Sequence, residues 1–277
     1  MKRTLVLLLS LLLLCSCAGC GSAAPDPDTA RAPEPESPAS AGNGAQEPPD
    51  ITCVAPEYWQ MKIVWVYDDS LLAVNTADDG APGLSRISVR DGGIYREGEQ
   101  GTLGFDALRP GMLIQVPDIG PVDLIFPAQF EVGALGILDD GDDLVGLYLQ
   151  VLRDLWEVDP GLNGGITLLG LDFANAGLSP WEQQALEYLT GQELGLPYVT
   201  GTRRELADQG YIDMERLYWE DGLFFSLELT GEMESRQFTF RGEKWRSGLG
   251  AIYYGACKAE KGADGLWNYT VVEMAIS

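Results

Sequence analysis

The spacing of apolar residues changes near residue 140, and that change sets the architecture open to this chain. Over residues 55–138 the apolar residues alternate with polar ones in short runs: "YWQMKIVWVYDD", "LLAVNT", "RISVR", "GIYRE", Met112 to Val116, and "VDLIFPAQFEV". Gly, Pro and Asp punctuate the runs. A period of two with such turns predicts a small barrel or sandwich of strands. In "DDLVGLYLQVLRDLWEVD", by contrast, Leu144, Leu147, Tyr148, Val151, Leu152, Leu155 and Trp156 fall on one helical stripe. Asp139, Asp140, Asp142 and Asp143 precede it, where a helix dipole favours acids. A calcium loop counted from Asp139 would need a glutamate where Gln150 stands, so the acids read as a helix start.

Residues 142–277 continue as a mixture. "ITLLGLDFA" reads as a buried strand. Ser179-Pro180-Trp181-Glu182 opens a helix with a capping residue, a first-turn proline and a glutamate three residues on, and the helix stops near Gly195. "PYVTG" is a short strand, and Thr202 to Glu205 repeats the capping spacing before Gly210. Four runs then follow with short turns: "GLFFSLELTGE", "SRQFTFRGEKW", "GLGAIYYGACKAEKG" and "WNYTVVEMAIS". The expectation is an α+β domain whose C-terminal antiparallel meander packs on helices.

The N-terminus carries a different kind of information. Lys2 and Arg3 precede an apolar run from Leu5 to Leu14, which is shorter than the roughly 20 residues a spanning helix needs. Cysteines sit where a signal would be cut. Leu14-Cys15-Ser16-Cys17 resembles a bacterial lipobox with Cys17 as the acylated residue, and Cys20 is the alternative. Residues 1–16 would then be a lipoprotein signal peptide. Residues 17–50 are rich in Pro, Ala and acids, and from Ser22 to Asp50 they contain no Leu, Ile, Val, Phe, Trp or Tyr. Such a segment cannot bury enough apolar surface to order itself, so it reads as a disordered tether. Acyl chains on one cysteine would hold the protein on the outer face of a bilayer.

Composition narrows the chemistry. The chain has 42 acidic and 18 basic residues and a formal net charge of −24, which disfavours phosphate backbones and therefore nucleic acid. It contains no histidine, which removes Ser-His-Asp and Cys-His catalysis and His-ligated zinc. No cofactor or metal is expected. Cys53 and Cys257 remain in the folded part, either as a disulfide, which an extracytoplasmic setting allows, or as two separate buried thiols.

Two resemblances add to this reading. "KIVWVYDDSLLAV", "RISVR", "FDALRPGMLIQV" and "FPAQFEV" resemble an OB-like small barrel found in bacterial lipoproteins of Gram-positive type, a domain of unknown function. "WEVDPGLNGGITLLGLD", "LTGTRRELADQGYID" and "KWRSGLGAIYYGACKAEKGADGLWNYTVVEMAIS" resemble a C-terminal α+β domain, also of unknown function, from Gram-positive bacteria. The first implies a five-stranded antiparallel barrel over 55–138. Neither implies a reaction.

Two sets of residues are candidates for a site. Arg236, Arg241, Lys244, Arg246, Lys258 and Lys261 are concentrated in 26 residues that hold only Glu243 and Glu260 as acids. With Trp245 they could form an anion or partner site, or else a solvated face paired with acids of the helices. Asp172, Glu220, Asp221 and Glu228 could supply a carboxylate pair for glycoside hydrolysis. The expectation is a membrane-anchored lipoprotein acting as a binding or interaction module at the cell envelope, for a ligand or protein the sequence does not name. A carboxylate-dependent hydrolase acting on cell-wall glycan is the alternative.

Overall fold

A computed structural model describes residues 58–77, 80–90, 93–117 and 121–277. The expected signal peptide and tether, with Cys17 and Cys20, lie outside these residues, as does Cys53. The described residues belong to one compact unit.

The first part is a seven-stranded sheet. Its strands are β1 (Tyr58–Val66), β2 (Ser70–Asn75), β3 (Leu84–Val89), β4 (Ile94–Arg96), β5 (Leu113–Pro117), β6 (Ala128–Val132) and β7 (Leu135–Asp139). Their order is β4-β7-β5-β1-β2-β3-β6. β1, β2 and β3 form an antiparallel meander and β5 returns antiparallel to β1, while β6 lies parallel to β3 and β4 parallel to β7. This differs from the expected five-stranded antiparallel barrel in strand number and in strand direction. The sheet is mixed, and no ladder joins its end strands β4 and β6 among the described residues. The run "VDLIFPAQFEV" ends in β6, and a further strand, β7, follows it. Gly133 and Ala134 divide the segment, so that β6 pairs with β3 and β7 pairs with β5.

The second part is a six-stranded sheet of order β13-β12-β11-β10-β8-β9. Helix α1 (Leu144–Glu157) leads to β8 (Leu168–Asn175), α2 (Pro180–Leu194), β9 (Tyr198–Thr200) and α3 (Arg203–Asp208). Four long strands follow: β10 (Gly222–Leu229), β11 (Gln237–Ser247), β12 (Gly250–Lys261) and β13 (Trp267–Ile276). They pair antiparallel in sequence order, as the meander requires, and β10 adds parallel to β8. The fold is α+β. Local signals explain the helix starts. Asp143 caps α1 by accepting from the Gly146 amide at 2.8 Å, and Ser179 with Glu182, like Thr202 with Glu205, completes a reciprocal capping box. Gly195 ends α2 at φ 64°, a conformation that costs glycine little.

Helices α1 and α2 form a middle layer between the two sheets. α1 touches β1 on one side and β11 and β13 on the other, and α2 lies between β2 and β8. Strand alternation explains how one sheet serves two cores. Met61, Ile63, Leu71 and Ala73 point into the first sheet's own core with Ile87, Ile114 and Ile137. Val64, Leu72, Val74 and Leu84 point the other way, into a core shared with α1, α2 and the second sheet. Every residue of β2 is buried. That is why its sequence is the continuous run "LLAV", the pattern of a strand covered on both faces.

Candidate functional site

The basic cluster of β11 and β12 does not form one surface. Along β11, Phe238, Phe240, Gly242 and Lys244 face α1, while Arg241 and Trp245 belong to the opposite face. Lys244 is completely buried, and its Nζ donates to the carbonyl oxygens of Trp156 at 2.9 Å, Val158 at 2.7 Å and Asp159 at 3.3 Å. These carbonyls end α1, where the helix leaves its acceptors unfilled and its dipole is negative. Burial pulls the Lys244 pKa down to about 8 against the opposing pull of Asp159 and Glu157. Arg246 does similar work one loop further on, donating to the carbonyls of Leu162, Gly164 and Glu220.

The other members are dispersed. Arg236 donates to the Lys261 and Gly262 carbonyls, Arg241 to that of Gly255, and Lys258 pairs with Glu260 at 2.5 Å. Trp245 is buried in a small core with Leu206, Trp219 and Phe224. The fold does not draw the expected anion or partner residues to one place: Lys244 and Arg246 serve as structural donors, while Arg236 and Lys261 line a separate groove. Cys257 is a buried free thiol whose pKa burial raises to about 12, so it is held protonated and unreactive.

Strand register does bring carboxylates together. Ser226 lies across from Asp172 on β8 and from Glu243 on β11, and Glu243 lies across from Tyr253 on β12. Burial raises the pKa of both Asp172 and Glu243. The guanidinium of Arg203 nevertheless already pairs with Glu243 at 3.1 Å while lying over the rings of Phe224 and Trp245. Asp172 was an expected candidate. Glu243 was not, because its neighbour across the sheet depends on β10 inserting between β8 and β11. Glu228 lies across from Arg241 on the same ladder, whereas Glu220 and Asp221 precede β10 and contribute backbone acceptors to Arg246 and Thr167.

A cleft of about 560 Å³ opens where β1 and β2 meet the start of α2. Its floor is an ion pair. The Lys62 Nζ donates to Glu182 Oε1 at 2.7 Å, with the two side chains 14% and 11% exposed. Glu182 Oε2 accepts from the Ser179 amide at 3.0 Å and the Ser179 hydroxyl at 2.7 Å. Burial alone would raise the Glu182 pKa, but Lys62 and Ser179 together overcome it and hold it below the usual range. One wall is the indole of Trp181, which is 41% exposed. Its back lies against Gly83, where a Cβ would fall 2.2 Å from a ring carbon, so only glycine lets the ring lie there. Thr76 also lines the cleft.

The chain matches no protein-family model, no curated protein and no solved structure. A larger groove of about 640 Å³ lies along β2, β3 and β6, but its cations are already matched, Arg90 by Glu131 and Arg86 by the Tyr67 ring and Ser70. Among the described residues no group of three or more Cys, Asp or Glu is placed to hold a metal ion, and no helix is long and apolar enough to cross a membrane. The Trp181 cleft thus joins a solvent-facing aromatic to a shielded, neutralised ion pair.

Lys62→Met should destabilise the fold by about 2 kcal/mol, because it removes a charge-assisted bond and leaves a shielded carboxylate unpaired. Adding Glu182→Gln should restore part of the loss, read as a shift in urea midpoint. The sign of the pH effect follows from the depressed Glu182 pKa. The pair's contribution is present above the unfolded glutamate value and is lost as pH falls through the lower folded value. The difference in stability between wild type and the double variant should therefore shrink in acid.

Proposed function

We propose that this chain is a membrane-anchored extracytoplasmic lipoprotein whose folded part is a binding module at the cell envelope, with the Trp181 cleft as its ligand site. The lipobox-like cysteines support the anchor. The observation that carries the binding reading is the indole of Trp181, which is seated on Gly83 and still 41% exposed over a cleft floored by a closed ion pair. Large aromatics with a fixed backing and an open face are efficient binding anchors. The strand path also supports the finer OB-like reading of the first sheet: a β1-β2-β3 meander, β5 returning to β1, and β6 beside β3 running on into β7. A carboxylate-dependent hydrolase acting on cell-wall glycan is the weaker reading, since Arg203 already neutralises Glu243.

Two measurements test this. In a Gram-positive host, a clickable palmitate analogue should label the chain and place it in the membrane fraction. Cys17→Ser should abolish the label, and retention of label there with loss in Cys20→Ser would move the site to Cys20. An unlabelled chain with both cysteines intact would end the anchor proposal. For the cleft, the full chain purified in detergent should co-sediment with isolated Gram-positive cell walls, and Trp181→Ala should weaken this by at least about tenfold. Undiminished sedimentation of Trp181→Ala would remove the cleft from the account.

A further inference from the structure

Resting on that reading of the cleft, we infer that its ligand is an uncharged glycan, held with one sugar face on the Trp181 indole and a sugar oxygen on the Lys62 ammonium. Three observations lead there. First, the available aromatic surface is a single flat face, with the ring's other side closed by Gly83. Sugar rings offer such a face a patch of C–H groups while keeping their hydroxyls at the rim. A cationic ligand would meet the ammonium of Lys62 at the floor and would find one aromatic wall rather than a cage.

Second, the Lys62 ammonium has three donors, and among the described residues one of them is used, on Glu182. A charged group with so little exposure needs oxygen acceptors for the rest, and the hydroxyls of a sugar supply them. Thr76, whose hydroxyl donates to the Gln60 carbonyl at 3.0 Å, presents oxygen lone pairs at the same rim. Third, the Lys62–Glu182 pair cancels its own charge, so among the described residues the cleft has no surplus cation to draw in an anion. A chain of net charge −24 repels phosphate-bearing polymers as well. A volume of about 560 Å³ lies within the range of small-molecule sites.

The test is a calorimetric titration of the full chain in detergent with two neutral probes, chitotetraose and cellotetraose. At least one should bind saturably with a Kd in roughly the micromolar to millimolar range. Trp181→Ala should weaken it by at least about tenfold, while Trp181→Phe, which keeps an aromatic face, should stay within about threefold. Thr76→Arg, which puts a bulky side chain among the lining residues, should abolish binding while the chain keeps a cooperative unfolding transition. Equal binding by Trp181→Ala and wild type would overturn the inference. If neither probe binds while Trp181→Ala still releases the chain from cell walls, the glycan assignment falls and the cleft stands. If Trp181→Ala alters neither, both fall.

Discussion

Replacing Lys244 with methionine will cost about 3 kcal/mol of folding stability. The side chain would still fill its space, so the loss is polar. Three part-buried carbonyls at and just after the end of α1 lose their shared donor, which is itself fully buried. A lower urea midpoint at an unchanged slope would show it. Arg241→Met and Lys258→Met, with exposed side chains, should stay within about 0.5 kcal/mol. The pH dependence gives a second readout. The folded pKa of Lys244 is lowered to about 8, so between that pH and the ordinary lysine value the unfolded chain binds more protons. This group therefore makes stability rise with pH across that window, and the variant should lack that part of the slope. A Lys244→Met protein that is as stable as wild type but loses affinity for an anion would return Lys244 to the role its sequence neighbourhood suggested.

The second expectation is that the chain will not yield two working halves. Residues 142–277 expressed alone should be aggregated or molten, without a sharp thermal transition or a dispersed amide spectrum. The shared core explains why. Val64, Leu72, Val74 and Leu84 are all buried against α1, α2 and the second sheet, and each is worth about 1.5–3 kcal/mol. Together they approach the whole stability of an ordinary domain, roughly 5–15 kcal/mol. The cut would also strip Lys62 from Glu182. A cooperatively melting 142–277 fragment would refute this reading and favour two autonomous domains.

Much of the second sheet was legible in the sequence because its signals are local. The stripe from Leu144 to Trp156, the two capping boxes and the turn-separated apolar runs each report on their immediate neighbours. The first sheet was harder. Which strand lies beside β3 depends on residues some forty positions away, and Gly133 and Ala134 look like an ordinary interruption until β6 and β7 are seen to part there. Two signals were present and pointed the right way. The unbroken apolar run of β2 announces burial on both faces, and Lys244 falls in phase with Phe238, Phe240 and Gly242 on the apolar side of β11. The cleft had no comparable signature. Trp181 and Glu182 read as a helix start, which they are, and only the packing of α2 on β2 and β3 brings Gly83 and Lys62 to them.

The position of β1 has a mechanical consequence. It is the first described strand and the middle one of its sheet, held by β5 on one side and β2 on the other. Any pull transmitted along the chain ahead of Tyr58 arrives at a strand clamped from both flanks, so two ladders must slip together before the protein can begin to unravel.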